Sequence, residues 1–149
     1  MFTSEYLREL TNKAIASLGG TPEAERLFEP VRYILSIGGK RLRPVMCLLS
    51  CNIFSDKIDE ALMPAVGIEV FHNFTLIHDD IMDGDVTRRG VPTVHTVWSE
   101  PIAILAGDVL YAKAFEFICL SNAGDLEKIR AVKMLSLIHI LTLPTNREV

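Results

Sequence analysis

The chain has 149 residues, of which 49% are hydrophobic, and a mean hydropathy of +0.28, which excludes a disordered polypeptide and supplies apolar side chains for one compact core or part of a larger one. Its net charge of −4 argues against nucleic acid as a partner, because such proteins carry a basic surplus, so any phosphate binding has to be local. Three cysteines, odd in number and without a framework, do not make a disulfide-built protein, and Cys47 and Cys51, on one helix face, read as small buried hydrophobes with no chemical role.

From the N-terminus, Met1 to Glu9 carries acids and no apolar segment, which does not read as a secretory signal and leaves the cytoplasm as the expected location. Helical signals dominate, with no run of alternating apolar and polar residues, so the expected class is all-α. Thr21-Pro22-Glu23-Ala24-Glu25 is a helix start: a hydroxyl cap, proline at the first helical position, then acids that favour the positive end of the helix dipole. That helix ends near Gly38-Gly39. Further helices are expected from about Pro44 to Phe54 and from about Ile58 to Met82, the latter ended by Gly84. A charged loop follows over Gly84 to Pro92, then a short helix near Thr93 to Trp98, a longer one from Pro101 to Leu120, and another starting near Gly124-Asp125. The most apolar runs, Pro44 to Phe54 and Pro101 to Ala112, are far shorter than the roughly 20 residues of a membrane span, and Asp108 interrupts the second.

Three charged segments carry the chemistry. In His78-Asp79-Asp80-Ile81-Met82-Asp83 a helical turn of about 3.6 residues stacks Asp79 and Asp83 on one face with Asp80 beside them. Like charges so close repel, and a cation neutralises them; oxygen-only ligands point to Mg²⁺, which is commonly held by one or two carboxylates and substrate phosphates. A solvated acidic helix end is the plainer alternative, but the apolar residues Val70, Phe71, Phe74, Leu76 and Ile77 just before it favour a cleft.

The second segment, Gly38-Gly39-Lys40-Arg41-Leu42-Arg43-Pro44, brings three cations into a glycine turn entering a helix, where backbone amides and the dipole attract anions. It is not a P-loop, since Arg41 rather than Ser or Thr follows the lysine. The third, Thr87-Arg88-Arg89-Gly90-Val91-Pro92-Thr93, offers two guanidiniums suited to bidentate binding of phosphate oxygens. Taken singly, the first basic segment is more often an ordinary solvated surface, and charge balancing between neighbouring loops competes as an explanation of the second.

Together, Gly39-Lys40-Arg41-Leu42-Arg43-Pro44, His72, Leu76 to Asp83, Arg88-Arg89-Gly90 and Ala106-Gly107-Asp108 resemble, in order and spacing, the trans-type polyprenyl diphosphate synthases of the short-chain farnesyl and geranylgeranyl kind, over about Val31 to Glu116. The resemblance implies the N-terminal portion of an all-α isoprenoid-synthase bundle, a transferase that joins an allylic diphosphate (dimethylallyl, geranyl or farnesyl) to isopentenyl diphosphate. It implies that Asp79 and Asp83, assisted by Asp80, hold Mg²⁺. Lys40, Arg43, His72 and Arg89, with Arg41 in the same basic turn, serve isopentenyl diphosphate, and Arg88 serves the allylic diphosphate. Metal-assisted ionisation to an allylic carbocation, attack by the isopentenyl double bond and proton loss complete the implied reaction. A homodimer is implied at full length.

The likeness also implies a chain about twice this long with a second aspartate-rich motif, absent here, so the fragment alone is expected to be inactive. Residues 1–134 are read as the N-terminal part of the synthase domain. Residues 135–149 are read as a non-native tail of a truncated gene model, because Leu135 to Ile140 back-translates into a transposon-end adapter sequence; a short C-terminal helix ended by Pro144 is the alternative. In the same family, an aromatic at Phe74 followed by Thr75 accompanies short products, here C15 to C20 with C20 preferred. Two other functions compete: a metal-dependent phosphohydrolase using His78-Asp79, which needs a histidine upstream although none precedes His72, and a non-catalytic subunit of a heteromeric prenyl synthase, against which the intact aspartate set argues.

Overall fold

The computed structural model describes residues 2–19 and 25–142. It is all-α apart from one short hairpin. Helix α1 (Ser4–Ala16) starts at Thr3, whose hydroxyl accepts the Tyr6 amide at 3.3 Å. Helix α2 (Glu25–Ser36) ends at two left-handed glycines, Gly38 (φ 78°) and Gly39 (φ 147°), and α3 (Leu42–Phe54) follows. The expected Thr21-Pro22 start lies outside the described residues.

Helix α4 (Asp59–Asp83) is the centre of the molecule. Val66, Val70, Phe71, Phe74 and Ile77 are buried in the main core, while Ala65 joins Leu7, Val45, Leu48 and Ile58 in a smaller cluster under α1 and α3. A helix that is apolar most of the way round must be covered on several sides, and α4 is covered by α1, α2, α3 and α6.

Helix α6 (Glu100–Cys119) lies antiparallel along α4 at very short range. Two glycines permit this. A Cβ on Gly67 of α4 would meet the Ala114 carbonyl oxygen at 2.8 Å, and one on Gly107 of α6 would meet His78 Nε2 at 2.4 Å. Helix α5 (Val94–Val97) caps one end, and α7 (Asp125–Thr142) runs on through Leu135, which is buried in the main core, whereas Leu137 and Ile138 are exposed.

The expected loop after Gly84 is instead a hairpin, β1 (Thr87–Arg88) paired with β2 (Val91–Pro92) in the register Thr87 to Pro92 and Arg88 to Val91. Arg89 (φ 53°) and Gly90 (φ 82°) form its two-residue turn, both left-handed as such tight turns require. Strands of two residues are too short to leave an alternating pattern in the sequence.

Candidate functional site

The acidic segment ends α4. The Gly84 and Asp85 amides turn back to the Ile81 and Asp80 carbonyls at 3.3 and 2.9 Å, with Gly84 left-handed at φ 68°, so the helix stops at Asp83. Asp79, Asp80 and Asp83 therefore sit in the last turns, where the negative end of the helix dipole adds to their attraction for a cation. Asp80 is almost fully buried and takes the Arg88 guanidinium: Nε donates to both carboxylate oxygens at 2.8 and 2.9 Å, and Nη2 donates to Oδ1. This bond and the neighbouring acids hold the Arg88 guanidinium above its ordinary pKa, outweighing its partial burial.

The basic turn builds a second, separate feature. A cavity of about 450 Å³ is lined by Gly39, Lys40, Arg41, Leu42, Arg43, Glu69, His72 and Arg89. The start of α3 has no side-chain cap, so its first backbone amides are added to the three exposed cations Lys40, Arg43 and Arg89. His72 reaches the same cavity from α4. Its imidazole is lowered from the ordinary 6.5 to about 4 by burial, then by Arg43, with Arg89 and Arg88 acting the same way and Glu69 opposing them. At neutral pH it is uncharged and can donate or accept one hydrogen bond.

The hairpin divides its two arginines between these features. Arg88, in β1, pairs with Asp80, whereas Arg89, in the turn, lies against Gly39, where a Cβ would come within 2.6 Å of its Nη1. His72 and Asp79 are seven residues apart on α4, a rise of roughly 10 Å. An acidic, cation-attracting helix end and a basic, anion-attracting cavity thus lie side by side along one helix.

Arg41 departs from its expected role. It is 4% exposed, and its guanidinium donates to Asn12 Oδ1 (3.0 Å), Glu69 Oε1 (2.8 Å) and the Leu35 carbonyl (2.7 Å), which leaves it to fix the turn from below rather than to meet a ligand. Arg41 has a left-handed backbone (φ 49°), and its neighbours Lys40 and Arg43 are exposed. Its partner Glu69 was missed in the sequence; the signal was an acid in an apolar stretch, one turn before His72. Phe74 is buried, with its ring 5.2 Å from Tyr111 and 4.7 Å from His78. Thr75 is half-buried and bonds back to the His72 carbonyl at 2.8 Å. His78 packs on Gly107 and Phe74 with Nε2 3.4 Å from the Ile104 carbonyl, so the ring faces α6, which removes support for a His-Asp metal pair.

Among the described residues no three His, Cys, Asp or Glu side chains close into a metal cage. The donors at the end of α4 are carboxylate oxygens on one helical face, a set that fits Mg²⁺ sharing its remaining positions with water and phosphate oxygens and does not fit a structural zinc. Among the described residues no helix is long and apolar enough to cross a membrane.

Comparison with known proteins identifies the family. Residues 24–145 match the family model described as polyprenyl synthetase. The chain is 48% identical over 136 residues to the geranylgeranyl pyrophosphate synthase of Geoglobus acetivorans, covering 89% of this chain and 43% of that protein. It is 54% identical over 115 residues to the geranylgeranyl diphosphate synthase of Saccharolobus solfataricus, covering 76% and 35%. The solved Geoglobus acetivorans geranylgeranyl pyrophosphate synthetase superposes with a TM-score of 0.87 at 46% identity, over 91% of this chain and 44% of that one. The chain thus spans less than half the length of these relatives, and over that span, with its fold, its acidic helix end and its basic turn, it belongs to the polyprenyl synthetase family.

Proposed function

We propose that this chain is the N-terminal portion of a short-chain prenyltransferase that joins an allylic diphosphate to isopentenyl diphosphate in the cytoplasm, as a homodimer at full length. The observation that carries the reading is the placing of an acidic helix end, able to hold a metal that bridges one diphosphate, about 10 Å along α4 from a basic cavity able to hold another, with Arg88 at the first and Arg89 at the second. The names of the relatives support the substrate class.

In this reading Lys40, Arg43, His72 and Arg89 bind and orient isopentenyl diphosphate, and the uncapped start of α3 contributes its amides. Asp79 and Asp83 would hold Mg²⁺, which would neutralise charge on the allylic diphosphate, and Asp80, its oxygens engaged by Arg88, would assist from behind them. Arg88, held by Asp80, faces that same leaving group and stabilises charge as its C–O bond breaks. The isopentenyl double bond forms the new C–C bond, and the proton lost from it goes to the released diphosphate, so no side-chain base is needed. The product is C15 to C20, with C20 favoured. Residues 1–134 make up the synthase portion and residues 135–149 a non-native tail; the back-translation of Leu135 to Ile140 supports that boundary, whereas the burial of Leu135 in the main core and the family match to residue 145 count against it.

The test uses a chain completed to the length of its relatives. Turnover should require Mg²⁺ and fall by orders of magnitude in Asp79→Ala. Lys40→Ala should instead raise the Michaelis constant for isopentenyl diphosphate about ten- to a hundredfold with kcat little changed, as expected on losing a charge-assisted contact made before the reaction. Turnover that survives chelation, or equal effects of both substitutions on both substrates, rejects the assignment.

A further inference from the structure

Tyr33 lies on α2 one turn before the basic segment and is part of neither the acidic helix end nor the basic cavity. Its hydroxyl nonetheless reaches the hairpin, donating to the Pro92 carbonyl at 2.7 Å, a contact 59 residues away in sequence. Its ring stands edge-on to Trp98 at 5.2 Å and 71°, just beyond the hairpin. Six residues further along the chain, Gly39 receives the Arg89 guanidinium on its open face. Residues 33–39 and 89–92 therefore lie against each other at both ends, joined by the Tyr33 to Pro92 hydrogen bond at one and with the Arg89 guanidinium packed over Gly39 at the other.

A two-stranded hairpin of this size is marginal alone and takes its orientation from what it packs on. We infer that Tyr33 is a positioning residue: through its bond to the Pro92 carbonyl it sets the hairpin against α2, and so sets the spacing of Arg89 from Lys40 and Arg43 that a bound diphosphate requires. The inference rests on the anion-site reading above. The bond lies in an exposed setting, where water can take over the Pro92 carbonyl, so losing it costs little stability while freeing the orientation of the turn. The ordering that Tyr33 supplies in advance then has to come from binding.

The chain completed to the length of its relatives and its Tyr33→Phe variant, which keeps the ring on Trp98, are titrated with inorganic diphosphate by calorimetry without divalent metal, so that the basic cavity alone is probed, with thermal melts and hydrogen exchange of the Arg88 and Val91 amides in parallel. We expect a Kd about three- to tenfold weaker in the variant, faster exchange in the hairpin, and a melting temperature within about 2 °C of the wild type. An unchanged Kd, unchanged exchange, or a melting temperature that falls steeply overturns the positioning role, the last because Tyr33 is then a packing residue. If the wild-type chain takes up no diphosphate, the anion-site reading fails and this inference with it; wild-type binding matched by Tyr33→Phe removes this inference alone.

Discussion

His72 shows how one residue records its surroundings. Its imidazole is lowered from 6.5 to about 4 chiefly by burial and by Arg43, so the folded chain binds its proton less readily than the unfolded one. The contribution to stability is accordingly in full effect above about 6.5 and is lost as pH falls toward 4. A diphosphate placed among Lys40, Arg43 and Arg89 offsets those positive charges and raises the imidazole again, so binding between these pH values should take up a proton. Calorimetry in buffers of different ionisation enthalpy measures the uptake, and His72→Asn should bind diphosphate with less of it. Equal uptake by both proteins would place the titrating group elsewhere. His72 was readable from the sequence only through a family resemblance, because a single histidine on an apolar helix is indistinguishable from a core residue. Glu69, its neighbour in the cavity, carried no resemblance and went unread.

At the scale of elements, the α4 and α6 pair decides most. Glycine in a helix interior usually gains from replacement by alanine, by about 1 kcal/mol. Gly67 should behave oppositely, since a Cβ there meets the Ala114 backbone at 2.8 Å and α6 itself has to move. We expect Gly67→Ala to lower stability by about 1–3 kcal/mol in denaturant unfolding, and an unchanged or raised midpoint would show that the two helices are not held at this distance. On the same helix Phe74 stands five residues before Asp79, buried against Phe71, Tyr111 and His78. In the completed enzyme Phe74→Ala should open space beneath the aspartates and lengthen the product beyond C20, with condensation retained and stability reduced by about 3–5 kcal/mol. Identical product lengths on chromatography would reduce Phe74 to a packing residue.

For the molecule as a whole, the relevant fact is that the chain covers 43% of the Geoglobus acetivorans relative and 35% of that from Saccharolobus solfataricus. Large apolar side chains stand exposed on α3, α6 and α7, among them Phe54 at 89%, Met46, Leu105 and Met134. Uncovered apolar surface of this kind favours self-association. We expect the 149-residue chain to show no condensation activity and to sediment as concentration-dependent oligomers, and the completed chain to be active and to sediment as a discrete dimer. A monomeric, active preparation of the shorter chain would reject the reading of residues 1–134 as a part.

The sequence by itself determined the helical class, the approximate ends of most helices, and the two charge signs that make up the site. These are local properties: periodicity, capping and the spacing of like charges act within a few residues. It did not determine which cations face a ligand, because in the run Lys40-Arg41-Leu42-Arg43 it is the distant partners of Arg41, Asn12 and Glu69, that hold one guanidinium inward. Nor did it show the division of Arg88 and Arg89. That depends on a two-residue turn whose strands are too short for any pattern, and on the packing that sets Asp80 on one side of it and Gly39 on the other.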